Sequence, residues 1–322
     1  MQGWTRHRAG RGFAYRDEAG RPLPREQVER IRSLAIPPAW RDVWICPVPN
    51  GHIQAVGTDD AGRRQYLYHP EGRVKRDKQK FDRVLAAAAD LPRARRQITR
   101  DLAASGMPRE RAAAVAVRLL DVGYFRIGSD AYADANGSFG LTTLERQHVR
   151  KCREGVRFRF VGKSGVEHTI TVDDTDVIAA LDRMRARRDR GRRLLAYNEA
   201  RRWVDLDAAA VNAYLSEVLG GDLTAKDFRT WHGTVLAAAA LAESDEPGDT
   251  KASRKRAVGA AAEEVAAYLG NTPAIARGSY IDPRVIDLYE AGTTITPPRL
   301  TARTSPSRRQ ELLEQAVLEL LT

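Results

Sequence analysis

Two periodicities divide the chain. In the first part, short β-favouring runs such as "DVWICPV" and "HIQAVGTD" are separated by Gly, Pro and Asn turns, the pattern of a small antiparallel sheet. "TDDAGRRQYLYHP" predicts a turn over Asp59–Gly62 and then a strand carrying Gln65, Tyr66 and Tyr68. The basic stretch "GRVKRDKQK" at 72–80 reads as a connector, so the expected boundary lies there, with an N-terminal β domain over 1–78 and a larger domain over 79–322. From about Phe81 the apolar positions recur at helical spacing. "PRERAAAVAVRLLDVG", "DTDVIAALDRMRARRDR", "DAAAVNAYLSEVLGG", "TAKDFRTWHGTVLAAAALAE" and "KASRKRAVGAAAEEVAAYLG" each predict a helix, with Thr224 as an N-cap and Gly220 and Gly270 as stops. One island differs: "VRFRFVGKSGVEHTITV" predicts two strands around Gly162-Lys163-Ser164-Gly165, a hairpin with a lysine at its tip. The tail "TPPRLTARTSPSRR" reads as a linker before a short amphipathic helix near 309–321. The fold class is therefore α+β: a small antiparallel β domain followed by a larger, mainly helical domain with one inserted β-hairpin.

At 322 residues, 43% hydrophobic and 7% aromatic, the chain supports a real core and is not globally disordered. No apolar run reaches the length of a membrane span, and the start "MQGWTRHRAG" lacks a secretory apolar segment, so a cytoplasmic protein without a membrane partner is expected. Cys46 and Cys152 are too few for a disulfide framework or a zinc site, and both read as reduced. Charge changes the picture most. Lys and Arg number 53 against 42 Asp and Glu, a net +11. An excess of that size favours a polyanion, nucleic acid before membrane surface. A GC-rich coding sequence accounts for the share of arginine, but not for the net excess.

The candidate chemistry narrows by exclusion first. There is no phosphate-cradling Gly-rich loop ending in Lys-Ser/Thr, no Gly-x-Ser-x-Gly, no His-Glu-x-x-His and no tight Asp/Glu/His cluster. Action on nucleic acid would then proceed without ATP, metal or other cofactor. Such phosphoryl transfer needs a nucleophile, cations for the developing charge and an acid for the leaving oxygen. Arg126 follows a helix closed by Gly123 and suits a phosphate clamp; a surface arginine is its plain alternative. Lys163 at the hairpin tip, among cations, is a usable general acid, and equally a solubilising turn lysine. Lys226 and Arg229 in "KDFRTWHG" fall on one face of a helix start, where an anion is favoured, while Trp231 reads as core and His232 either packs or donates. Asn271 after Gly270 offers an amide donor, although Asn is common past a helix end. Tyr280 in "ARGSYIDP" is a packed tyrosine or a phenol nucleophile, whose ordinary pKa of about 10 requires nearby cations.

Taken in order, these residues resemble the type IB DNA topoisomerases, specifically the small poxvirus-like enzymes found in bacteria, over nearly the whole chain. "IPPAWRDVWICPVPNGHIQAVGTDDAGRRQYLYHP" is similar to the family's N-terminal β domain; "RLLDVGYFRIGSDAYADANGSFGLTTL", "FRFVGKSGVEHTI", "KDFRTWHGT" and "ARGSYIDP" are similar to its catalytic segments. The resemblance implies that Tyr280 is the nucleophile forming a 3′-phosphotyrosyl bond, that Arg126 and Arg229 hold the non-bridging oxygens, and that Lys163 protonates the leaving 5′-oxygen. Asn271 stands where many members have histidine, which limits it to hydrogen bonding. Gln65, Tyr66, Tyr68, Tyr132 and Lys226 match DNA-contacting positions. Implied with them are a double-stranded DNA partner, a monomer associated with the nucleoid, religation without ATP, and a two-domain clamp. Tyrosine recombinases share the chemistry but usually carry His-x-x-Arg, where this chain has Lys226-Asp227-Phe228-Arg229. An architectural DNA-binding protein would leave the ordered set unexplained.

Overall fold

A computed structural model describes residues 2–322 except 61, 124, 129, 131, 132, 134–136, 222, 245–249, 300, 302 and 303, with backbone alone at 73–75 and 164. The chain divides into two compact units, Met1–Phe81 and Asp82–Thr322.

The first unit is a five-stranded antiparallel sheet. Its strands are β1 (Trp4–Ala9), β2 (Gly12–Arg16), β3 (Arg41–Ile45), β4 (Ile53–Thr58) and β5 (Arg64–Tyr68), in the order β2-β1-β3-β4-β5. Helix α1 (Arg25–Ser33) supplies Ile31 to a core with Val43, Ile45 and Ala55. The predicted turn forms, with the Gly62 amide donating to the Asp59 carbonyl at 2.9 Å. Strand alternation sends Gln65 and Leu67 to one face of β5 and leaves Arg64, Tyr66 and Tyr68 exposed on the other. β5 is an edge strand.

The basic stretch at 72–80 is helical and ends one residue before the boundary between the units. It lies inside a long helix, α2 (Pro70–Ala88), in which the boundary between the units falls. Its Lys, Arg and Gln residues are good helix formers, but so few apolar positions lie among them that no helical stripe is visible in the sequence.

The second unit is mainly helical: α3 (Leu91–Leu102), α4 (Arg109–Gly123), α5 (Thr175–Arg185), α6 (Ala208–Leu219), α7 (Ala225–Ala242), α8 (Lys251–Leu269), α9 (Pro273–Ser279), α10 (Pro283–Glu290) and α11 (Pro306–Leu321). Helix α4 is its axis. Ala112–Val117, Leu119 and Leu120 are all buried, because α3, α5, α6 and α7 pack around it. A helix apolar on every side can only be stable when so covered. The predicted hairpin is present as β7 (Gly155–Val161) and β8 (Glu167–Val172), joined at the base by β6 (Val149–Cys152) into a three-stranded sheet. A second hairpin, β9 (Ala196–Glu199) with β10 (Arg202–Asp205), is too short to stand out in the sequence. Thr224 caps α7 as expected, its amide and hydroxyl both donating to the Asp227 carboxylate at 2.9 Å. No helix of the described residues is long and apolar enough to cross a membrane.

Candidate active site

The C-terminal end of α8 collects two arginines. Gly270 closes the helix in the left-handed region at φ 61°, and the Asn271 amide donates back to the Ala266 carbonyl at 2.8 Å. This leaves carbonyls at 269 and 270 without helical partners and at the negative end of the helix dipole. Arg229 Nη2 donates to the Leu269 carbonyl at 2.6 Å, and Arg126 Nη2 donates to the Gly270 carbonyl at 2.7 Å and to Asn271 Oδ1 at 2.9 Å. The Asn271 side-chain nitrogen, Nδ2, is buried and has no partner among the described residues.

Each arginine is positioned by its own element. The chain after α4 is anchored by buried Phe125, and the carbonyls of Arg126 and Ile127 each accept a bond of 2.8 Å, from the amides of Leu141 and Thr142. The two segments approach so closely that a Cβ on Gly140 would lie 2.5 Å from the Gly128 Cα, so glycine is required there. Arg229 sits on the second turn of α7 with only 4% of its surface exposed. Burial, then the neighbouring Arg126 charge, lower its pKa to about 10, against an opposing pull from Tyr280. It therefore remains a cation at neutral pH, but one that is short of negative charge. Arg126 is lowered too, by burial.

Tyr280 lies at the end of the short helix α9, its amide donating to the Ala276 carbonyl at 2.9 Å. Helix α7 holds it from the other side. Thr234 Oγ1 donates to the Thr230 carbonyl at 2.9 Å, lies 3.3 Å from the Tyr280 carbonyl, and accepts from the Asp282 amide at 3.0 Å. Gly233 lets the chain approach: a Cβ there would stand 2.7 Å from the Tyr280 carbonyl oxygen. The Arg229 guanidinium is 5.4 Å from the Tyr280 ring centroid. Arg126, Arg229, Asn271 and Tyr280, spread over 155 positions of sequence (126 to 280, counted inclusively), thus meet at one helix end.

Beside them opens a cavity of about 440 Å³, lined by both arginines with Phe139, Phe160, His168 and Tyr268 among others. Its far wall is the β7–β8 hairpin. Lys163 is exposed on the turn Lys163–Gly165, where the Gly162 amide donates to the Val166 carbonyl at 2.7 Å. The hairpin also presents His168, which stacks on Phe160 with ring centroids 5.2 Å apart.

The remaining predicted residues fall elsewhere. Lys226 is exposed one turn before buried Arg229, so the two share a helix side but not an environment. Trp231 is in the core. His232 is fully buried, facing Gln310 and Asp121 and not the arginine pair. Tyr66 and Tyr68 stand together on exposed β5 with centroids 6.1 Å apart, and the Arg76 guanidinium lies 3.8 Å from the Tyr68 ring. Gln65, on the opposite face, donates to Asp59 at 2.9 Å. Tyr132 lies outside the described residues. His168, Gly233 and Thr234 were not singled out in the sequence; each sits within a quoted motif, but only the folded contacts give it a task. Among the described residues no three His, Cys, Asp or Glu side chains are grouped as a metal site.

Comparison with known proteins agrees with this architecture. The family model for "Eukaryotic DNA topoisomerase I, catalytic core" matches residues 69–290, and that for "Bacterial DNA topoisomerase IB, N-terminal domain" matches residues 12–59. DNA topoisomerase 1B of Acanthamoeba polyphaga mimivirus is 28% identical over 90% of this chain and 88% of its own length. DNA topoisomerase 1B of Vaccinia virus (strain Copenhagen) is 29% identical, over 36% of this chain and 37% of its own. DNA topoisomerase 1 of Daucus carota is 29% identical over 51% of this chain, which spans only 20% of that larger enzyme. The chain belongs to the type IB DNA topoisomerases, with the family's catalytic core over residues 69–290 and its bacterial N-terminal domain over residues 12–59.

Proposed function

We propose that this isomerase relaxes supercoiled duplex DNA by nicking one strand through Tyr280, letting the duplex rotate and resealing it, without ATP or metal. The observation that carries this reading is the meeting of Arg126, Arg229, Asn271 and Tyr280 at the end of α8. The Tyr280 oxygen attacks phosphorus and forms a 3′-phosphotyrosyl bond. The bond from phosphorus to the 5′-oxygen breaks, and that oxygen takes a proton from the Lys163 ammonium; the phenolic proton passes to solvent. Charge grows on the non-bridging oxygens, where the two guanidiniums and the unpartnered Asn271 side-chain nitrogen donate. A guanidinium carries five N–H donors, so anchoring through Nη2 leaves others for phosphate. Arg229, buried and short of negative charge, gains most when a phosphate arrives. Religation reverses the steps, and the phosphotyrosyl bond conserves the energy of the cut.

Tyr66, Tyr68, Gln65 and Lys226 serve as duplex contacts in this reading, and the enzyme works as a monomer on the nucleoid in the cytoplasm. Plasmid relaxation with EDTA present and ATP omitted tests the reading, comparing the wild-type chain with Tyr280→Phe. Wild type is expected to relax the plasmid and to form a covalent DNA adduct; Tyr280→Phe is expected to bind DNA and do neither. Relaxation by a clean Tyr280→Phe preparation would remove Tyr280 from its role.

A further inference from the structure

The β7–β8 hairpin brings to the site one side chain that the proposed mechanism leaves idle. His168 lies between two glycines from distant parts of the chain. A Cβ on Gly162 would stand 2.6 Å from His168 Cδ2 and 2.7 Å from Nε2, and a Cβ on Gly270 would stand 2.9 Å from its Cε1. All three distances are shorter than van der Waals contact, so the imidazole occupies the space that a side chain at either position would need. Its opposite constraint is Phe160, on whose ring it stacks at 5.2 Å with 25° between planes. These three contacts have a consequence for the site. Gly162 immediately precedes Lys163 and bonds the turn closed. Gly270 carries the carbonyl that anchors Arg126 and precedes Asn271.

We propose that His168 is a positioning residue, a wedge that sets the distance between the Lys163 turn and the end of α8 where the arginines and Asn271 are held. The idea rests on the topoisomerase reading given above. His168 touches no reacting atom. It fixes the acid on the hairpin relative to the oxyanion donors on the helix end, and a misplacement of about 1 Å there is enough to cost roughly 10²-fold in rate. The wedge works best uncharged. Partial burial first, and then the facing charges of Arg126 and Arg229, favour the neutral ring; Glu167 next to it on β8 is exposed.

Single-turnover cleavage by the full chain separates a positioning role from a general structural one. Two suicide substrates are used, one with the ordinary 5′-oxygen and one with a 5′-bridging sulfur, whose thiolate leaves without an acid. His168→Ala opens the gap and lets the Lys163 turn drift. It is expected to slow cleavage of the oxygen substrate ten- to a hundredfold while cleaving the sulfur substrate within about threefold of wild type. His168→Phe keeps a flat ring on Phe160 and is expected to restore most of the lost rate. Equal slowing on both substrates overturns the proposal, because the damage would then lie at the arginines or in the fold. A His168→Phe enzyme as slow as His168→Ala also overturns it, because a ring nitrogen would then be acting directly. If His168→Ala does not fold, the phenylalanine variant alone still decides. A wild-type chain that cleaves neither substrate defeats the topoisomerase mechanism itself, an outcome distinct from any pattern among the variants.

Discussion

At the scale of single residues, the site is built by giving arginines something to hold before DNA arrives. Arg229 is buried to 4% exposure and bonded to a helix-end carbonyl through one nitrogen. A carbonyl offers partial charge only, so burial lowers its pKa to about 10. A lysine at this position would keep a cation but lose the planar fork that meets Leu269 and Tyr280 and, in the proposed mechanism, a phosphate. Arg229→Lys is therefore expected to fold and bind DNA, yet to cleave at least about a hundredfold more slowly, as read by single-turnover adduct formation; a cleavage rate within threefold of wild type would show that point charge alone suffices. Arg126, Lys163, Arg229, Asn271 and Tyr280 each have a plain alternative in the sequence, and only their order along the chain and the resemblance it carries single them out as candidates. His168 was not legible. Its neighbours are Gly162, six positions away, and Gly270, more than a hundred positions away, and nothing in a strand that alternates "EHTITV" marks one polar residue above the others.

At the scale of elements, α7 is the part on which Tyr280, the proposed nucleophile, rests. Arg229 lies one turn before the adjacent Gly233 and Thr234, and each touches the segment from 269 to 282. The glycine is costly within a helix, by about 1 kcal/mol against alanine, so propensity alone favours Gly233→Ala. Packing opposes it. The new Cβ would sit 2.7 Å from the Tyr280 carbonyl oxygen and 3.1 Å from the Tyr280 Cβ, and backbone must shift to admit it. The expected result is a fold stable to within about 2 kcal/mol of wild type and a cleavage rate reduced at least tenfold, measured by thermal melting beside single-turnover cleavage; full activity would mean that the Tyr280 backbone is free to adjust. The major helices were visible in sequence because their apolar stripes, Thr224 cap and Gly220 and Gly270 stops agree. Helix α2 and the short α9 and α10 were not, because the first half of one is mostly charged and the others are seven and eight residues long.

At the scale of the whole molecule, the net +11 charge gives DNA affinity a strong dependence on salt, while the interior of the second unit is closed by charges of both signs. The C-terminal helix α11 is tied to the rest by an ion cluster. Arg95 donates to both oxygens of Asp121 at 2.8 Å and to Glu314 at 2.6 and 2.9 Å. Gln310 Nε2 bonds Glu314 at 2.9 Å and lies 3.1 Å from His232 Nδ1, one turn beyond Arg229 on α7. Asp121 and Glu314 are both nearly buried. Burial alone would raise the Asp121 pKa, but the Arg95 charge and bonds hold it well below the usual carboxylate range. Arg95→Met leaves two buried carboxylates without their cation, and breaking a pair in that way costs about 3–5 kcal/mol. The expected loss is a lower urea midpoint with an unchanged slope. The sign of its pH dependence follows. In the variant the folded carboxylates take up protons more readily than in the unfolded chain, so its deficit is largest at neutral pH and shrinks as the pH falls towards 5. Replacing Asp121 and Glu314 by Leu in the same chain is expected to recover most of the loss, since an apolar cluster of similar volume has no charge to desolvate. A variant Arg95→Met that unfolds at the wild-type urea midpoint would show that α11 is held by Leu313 and Val317 in the core and not by the ion cluster.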